Sequence, residues 1–155
     1  MKLNLAIITC SSTRKFAEDT AGAALAERIR ARGWTVRLHV VVPDKRDRIA
    51  QAIVDASAVC DIILTCGGSG LSLADVTPEA TADVCERNVP GIAEAMRALS
   101  LEKTHRAMLS RAVCMQRGAT LVVNLPGSLR AATECFDAVS DQFEHAVQMT
   151  AGGGH

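Results

Sequence analysis

The sequence predicts an α/β fold of three layers: a mainly parallel sheet with one antiparallel hairpin strand and helices on both faces. Short β-branched apolar runs alternate with stretches of helical periodicity, and strands joined through helices need right-handed crossovers that cover both faces of a parallel sheet. A glycine-containing link between the last two apolar runs adds the hairpin. With 155 residues, 48% of them apolar, the chain can bury one sizeable core but is short for two. One domain is expected over residues 1–150, followed by a flexible tail at 151–155.

Leu3 to Thr9 is a β-branched apolar run too short for a typical helix, and the polar Ser11 to Arg14 follow it, so the chain opens as strand and loop. From Thr20, Ala23, Ala24, Leu25 and Ile29 fall at near-helical spacing, and Gly33 supplies a stop. Thr35 to Val42 returns to strand. Pro43-Asp44 ends it before a helix carrying Ile49, Ala52, Ile53 and Ala56. Asp61 to Thr65 reads as a third, buried strand that runs into the glycine-rich Cys66 to Gly70. A helix start follows with Thr77 as N-cap and Pro78 at the first helical position, and a second at Pro90-Gly91. Arg111 to Gln116 and Thr120 to Asn124 are the hairpin strands, linked by Arg117-Gly118-Ala119. After Pro126-Gly127-Ser128 the helical period runs through Ala131, Cys135, Ala138, Val139 and Phe143 toward Met149, and Gly152 to His155 is expected to be loose.

Seventeen basic and seventeen acidic residues cancel, so no general attraction to nucleic acid or to an anionic membrane is expected, and any anion site must be built locally. Apolar runs such as Leu5 to Ile8 and Val40 to Val42 fall far short of the ~18 residues of a spanning helix. The N-terminus enters directly on a strand pattern without the features of an export signal, which points to the cytoplasm. The six cysteines (10, 60, 66, 85, 114 and 135) show no CxxC pair or zinc spacing and are expected as reduced thiols. The histidines at 39, 105, 145 and 155 include no i,i+4 pair, which argues against a histidine metal site.

In a parallel sheet the loops after the strands emerge on one edge, where ligands bind. Ser11 to Arg14, Asp44 and Cys66 to Asp75 should converge there. Gly67, Gly68 and Gly70 permit backbone conformations that turn successive N–H groups toward a phosphate, and Ser69 adds a hydroxyl, although a plain tight turn needs the same glycines. The spacing is neither GxGxxG opening into a helix nor GxxxxGK[ST]. Asp44 and Asp75 form a carboxylate pair suited to Mg²⁺; alternatively Asp44 caps the next helix and Asp75 closes the turn before Thr77. Asn124-Leu125-Pro126-Gly127-Ser128 sets a polar side chain, a rigid turn and free N–H groups at a helix start, a second candidate anion contact. Ser110 and Arg111 either reach an anionic ligand or cap the sheet.

Five blocks, in order, resemble the molybdopterin-binding MoaB/Mog family: the CGGSG loop, Asp75 to Ala80 (DVTPEA), Pro90 to Glu94 (PGIAE), Leu109-Ser110-Arg111 and Asn124 to Ser128 (NLPGS). The resemblance runs from the first strand to about Met149. It implies a molybdopterin-binding fold, commonly a trimer, that transfers AMP from Mg-ATP to the terminal phosphate of molybdopterin, the product then passing to a molybdate-inserting enzyme. Matched position by position, it makes Asp44 and Asp75 the catalytic, Mg²⁺-binding pair. It lines the pocket with Ser11, Thr13, Gly67, Gly68, Ser69, Gly70, Asn124, Pro126, Gly127 and Ser128, and adds Glu94, Ser110 and Arg111. A member without catalysis, carrying the pterin or acting as an oligomeric scaffold, is the alternative. Cys66 and Ser69 stand where the family loop usually has threonine, and the first loop lacks the family's usual acidic residue.

Overall fold

Apolar residues alternate between two buried faces along each central strand, and this alternation builds the molecule. The structure is a computed structural model that describes residues 1–153. Its elements in chain order are β1 (Asn4–Cys10), α1 (Thr20–Ala31), β2 (Thr35–Val42), α2 (Arg46–Ser57), β3 (Ile62–Cys66), α3 (Thr77–Val84) and β4 (Arg87–Asn88), followed by α4 (Pro90–Leu101), β5 (Cys114–Arg117), β6 (Thr120–Leu125), α5 (Leu129–Val139) and α6 (Phe143–Thr150). They form one sheet in the order β2-β1-β3-β6-β5-β4. The first four strands are parallel, while β5 runs antiparallel to both β6 and β4. This is the expected three-layer architecture.

Leu5 and Ile7 of β1, Leu64 of β3 and Leu121 and Val123 of β6 join Leu25, Ile29, Phe136 and Phe143 in one core, under α1, α4 and α5. Ala6, Ile8, Ile63 and Val122 point the other way, into a second core with Ile49 and Ile53 of α2 and Ala80 of α3. A strand buried on both faces reads as a continuous apolar run, which is why β1 and β3 stood out in the sequence.

Several boundaries differ from expectation, each for a physical reason. Thr77 is not the N-cap of α3; Val76 is, and Thr77 and Pro78 are the first two helical residues. The Thr77 N–H donates to the Gly68 carbonyl (3.1 Å), drawing this residue into the core. Asp44 does not cap α2, which begins after Lys45 without a side-chain cap. Strand β3 starts one residue later than predicted, because the Asp61 carboxylate accepts the Asn4 N–H (2.8 Å) at the end of the ladder. Strand β5 begins at Cys114 rather than Arg111: the Arg111 N–H is taken by the Ser69 carbonyl (2.8 Å) and the Val113 N–H by the Asn124 side chain (3.2 Å). The two-residue β4 was not predicted. The last helical run breaks at a 3₁₀ turn (Ser140–Gln142), after which Phe143 packs edge-on to Phe136 and stacks with Trp34.

The segment expected to be loose starts as an ordered cap. Gly152 (φ +87°) donates to Met149 and Gly153 to Gln148, the two bonds of a Schellman motif closing α6. Residues 154 and 155 of the expected tail lie outside the described residues.

Candidate active site

The carboxyl ends of β1, β3 and β6 lie side by side, so the loops that follow them meet. Cys66 ends β3 and donates its thiol to the Pro126 carbonyl (3.2 Å), while the Gly67 N–H donates to Leu125 (3.0 Å), stitching the glycine loop to the turn after β6. Gly67 and Gly68 adopt left-handed backbone (φ +100° and +71°). A Cβ on Gly67 would lie 2.8 Å from the Cys10 carbonyl, and one on Gly68 would collide with the Thr77 hydroxyl, so only glycine fits either position.

Three successive carbonyls of this loop are engaged by other segments of the protein. Gly68 accepts from Thr77 N–H, Ser69 from Arg111 N–H, and Gly70 from Arg111 Nε (2.8 Å). Among the described residues the N–H groups of Gly68, Ser69 and Gly70 have no protein acceptor. Three adjacent unpaired amides form a nest that attracts an anion. Arg111 also donates to the Asp75 carbonyl through Nη2 (2.8 Å) and pairs with Glu79 through Nη1 (2.6 Å). The hydrogen bond from this guanidinium holds the Glu79 carboxyl below the usual glutamate range. Arg111 therefore clamps the glycine loop to the start of α3, and its committed nitrogens give it a positioning role.

The loop floors a cleft of about 490 Å³, a size typical of small-molecule sites. Of the residues singled out in the sequence, Gly67 to Gly70, Asp75, Ser110, Asn124, Pro126 and Gly127 line it. Asn124 is fully buried and its side chain is committed: Nδ2 donates to the hydroxyls of Thr65 (2.9 Å) and Thr81 (3.1 Å), and Oδ1 accepts from Val113. It braces the floor. Asp75 carries its carboxylate beside Gly70, where a Cβ would meet Oδ2 at 2.9 Å.

Asp44 lies beyond the cleft lining, next to Gly68, whose Cβ would stand 3.6 Å from its Oδ1. Its carboxylate accepts the Ser12 N–H (3.0 Å) and its own N–H donates to the Ser12 hydroxyl (2.9 Å). Ser12, which the sequence did not single out, thus fixes Asp44. Ser11 and Thr13 do not line the cleft; the Ser11 hydroxyl accepts the Arg14 N–H (3.0 Å) and Thr13 is exposed. Ser128 caps α5 through the Ala131 N–H (3.2 Å), and Glu94 is exposed on α4 away from the cleft. The opposite wall, from α4 and the 3₁₀ turn His105–Leu109, brings in Arg97, Lys103 and Arg106, which carry no local sequence signal.

The two carboxylates flank one glycine loop, and among the described residues no cluster of three or more His, Cys, Asp or Glu has the makings of a metal site. That donor set suits Mg²⁺, which needs only one or two carboxylates when substrate phosphates and water complete its shell. Burial pushes the thiols of Cys10 and Cys66 up to about 12, so neither supplies a thiolate at neutral pH.

An amide nest facing a cleft, with a carboxylate at each side, is the geometry of a phosphate-bearing ligand. A family model described as "probable molybdopterin binding domain" matches residues 6–145. The chain belongs to this molybdopterin-binding family. It is 38% identical over 114 residues to the molybdopterin adenylyltransferase of Helicobacter pylori, covering 72% of this chain and 65% of that protein. Among solved structures it resembles the molybdopterin biosynthesis enzyme MoaB of Thermus thermophilus, with a TM-score of 0.88, 38% identity and 97% of each chain covered. The molybdopterin biosynthesis Mog protein of Mycobacterium ulcerans superposes with a TM-score of 0.89 at 36% identity, over 96% of this chain and 99% of that one. The chain spans about two thirds or less of the length of the curated relatives it matches. Among the described residues of this molybdopterin-binding domain, no helix is long and apolar enough to cross a membrane.

Proposed function

We propose that this molybdopterin-binding protein is a molybdopterin adenylyltransferase of molybdenum cofactor biosynthesis, transferring AMP from Mg-ATP to the terminal phosphate of molybdopterin. The observation that carries the reading is the nest of three unpaired amides at Gly68 to Gly70, flanked by Asp75 and Asp44 and opening into a ligand-sized cleft. In the reaction a terminal phosphate oxygen of molybdopterin forms a bond to the α-phosphorus of ATP. The bond from that phosphorus to the oxygen bridging to the β-phosphate breaks, and pyrophosphate leaves with the electron pair.

Such chemistry asks for alignment and charge neutralisation, with no nucleophile from the protein. The amides of Gly68, Ser69 and Gly70 hold phosphate oxygens in place without reorganising. Arg111 keeps those amides aimed at the cleft by engaging Gly70 and Asp75 from behind. Asp44 and Asp75 would hold Mg²⁺, which when bound neutralises charge on the phosphates. The apolar lining from Ala93, Met96 and Ala107 excludes water around the reacting groups.

One feature favours a second reading, a pterin carrier without catalysis: Asp44 lies outside the cleft lining and is engaged with Ser12. The two readings separate in one assay, in which purified protein is incubated with molybdopterin, ATP and Mg²⁺, with and without chelator. Adenylylated pterin and pyrophosphate that both disappear with chelator support the transferase; pterin binding without either product supports the carrier. Asp75→Asn should lower turnover by about two orders of magnitude or more while leaving the melting temperature within a few degrees. Undiminished turnover in that variant would remove Asp75 from the reaction.

The same reading extends to a homo-oligomer, a trimer or a multiple of it, in the cytoplasm, handing its product to a molybdate-inserting enzyme. An apolar groove between α4, α5 and α6, lined by Val89, Ile92, Ala138 and Ala146, supports self-association. Light scattering at micromolar concentration tests it, and a monomer mass would refute it.

A further inference from the structure

The cleft has two polar ends with different chemistry. Its floor offers the neutral amides of Gly68 to Gly70 and the carboxylate of Asp75. Its opposite wall, at the end of α4 and in the following 3₁₀ turn, carries the cationic side chains that line the cleft among the described residues: Arg97, Lys103 and Arg106. Their commitments differ. Arg97 donates through Nη1 to the Ala112 carbonyl (2.8 Å). Lys103 Nζ sits 3.1 Å from Glu134 Oε1 of α5, which Arg130 Nε already contacts at 3.0 Å. The Arg106 guanidinium has no partner among the described residues; only its backbone N–H is engaged, by Thr104 Oγ1 (3.2 Å). Arg111, behind the glycine loop, is occupied by Glu79 and two carbonyls.

We propose that Lys103 and Arg106 receive the phosphates of ATP that leave as pyrophosphate, and that Glu134 holds Lys103 in reserve until they arrive. The assignment rests on the transferase reading and deepens it, naming which end of the nucleotide meets which wall. The β- and γ-phosphates hold most of the negative charge of ATP and carry it away as pyrophosphate, and amides alone do not balance it; Arg106, and Lys103 once Glu134 releases it, lie on this wall. Both residues are exposed, so the anion they hold stays close to water and can depart. Glu134 is shared between two cations and therefore gives up Lys103 to a stronger anion without becoming unpaired, because Arg130 stays with it.

The probes are pyrophosphate, ATP, AMP and molybdopterin, titrated calorimetrically against the intact wild-type chain and single variants, with adenylyl transfer measured in parallel. Arg106→Ala and Lys103→Ala should each weaken pyrophosphate and ATP about tenfold, the equivalent of one lost charge-assisted contact, and leave AMP within about twofold. Arg106→Lys should recover most of the loss. Glu134→Gln should tighten pyrophosphate about threefold by releasing Lys103, a change opposite in sign to general damage. Unchanged melting temperatures establish that the exposed variants fold. Wild-type affinity for pyrophosphate in both alanine variants, or weaker binding in Glu134→Gln, overturns the proposal. So does a loss confined to molybdopterin, which would give this wall to the pterin phosphate. A wild-type protein that makes no adenylylated pterin, yet loses pyrophosphate binding on Arg106→Ala, refutes the transferase reading and keeps this wall as a polyphosphate site.

Discussion

At the scale of single residues, the site is governed by what each position leaves no room for. Gly68 is held with φ at +71° against the Thr77 hydroxyl. Gly68→Ala should cost about 1–3 kcal/mol of stability and with it most ligand binding, readable as a lowered urea midpoint and a lost thermal shift with ATP. Thr77 itself is fully buried, and among the described residues its hydroxyl has no oxygen or nitrogen partner. Thr77→Val, of the same shape, should therefore be neutral or raise stability by up to about 1 kcal/mol in the same unfolding experiment; a loss of about 2 kcal/mol would mean that the hydroxyl is bonded after all. Sequence reasoning saw the glycines because their freedom is a property of the residue. It assigned Thr77 to a cap, since the pattern Thr-Pro favours that role locally, and the Gly68 carbonyl that claims the Thr77 N–H belongs to a different segment. Ser12 escaped for the same reason: nothing in Ser11-Ser12-Thr13 tells which hydroxyl faces Asp44, 32 residues away.

At the scale of elements, the α/β alternation was legible because each central strand is buried on both faces and so appears as an unbroken apolar run. The details that failed are set by side chains acting across elements. Asn124 is the clearest case: from β6 it reaches Thr65 in β3, Thr81 in α3 and the backbone of Val113, which shortens β5 at its start. Asn124→Leu should cost about 2–4 kcal/mol, because it strands the buried Thr65 hydroxyl and the Val113 N–H at once, while the Thr81 hydroxyl keeps its bond to the Thr77 carbonyl. Equilibrium urea unfolding measures this; a loss under about 1 kcal/mol would show that the network contributes little. The cationic wall was invisible for a related reason. Lys103 and Arg106 sit in a polar stretch indistinguishable from a solvated turn, and only the packing of α4 beside the glycine loop gives them a cleft to face.

At the scale of the whole molecule, two predictions follow from where charge and thiols are buried. Asp19, almost fully buried, caps α1 through the Gly22 N–H (2.9 Å) and meets Thr9 Oγ1 (2.6 Å) and His39 Nε2 (2.8 Å). Burial alone would raise its carboxyl, but the bonds from Thr9, His39 and Gly22 together hold it below the ordinary aspartate value. A lowered folded-state value stabilises the protein above about pH 4, and that stability is lost as pH falls through Asp19's own lower value. The stability gap between wild type and Asp19→Asn should therefore narrow as pH falls below about pH 4; a gap that widens there would contradict the assignment. All six cysteines are free and five are buried, with burial raising Cys114 to about 12 and Cys60 and Cys85 to about 11. At pH 8 the native protein should react slowly with a disulfide reagent, and all six thiols promptly once guanidinium unfolds it. The strand order carries a further consequence, one of timing. Strand β6, the last strand to be made, slots between β3 and β5 and supplies Asn124 and the turn that pins Cys66 and Gly67. A chain growing from its N-terminus can lay β1, β2 and β3 together early, but its phosphate nest has no backing until this late strand arrives. Capacity to bind ligand should thus appear abruptly, only once β6 has been made and has paired with β3, and a growing chain that lacks β6 cannot hold the ligand.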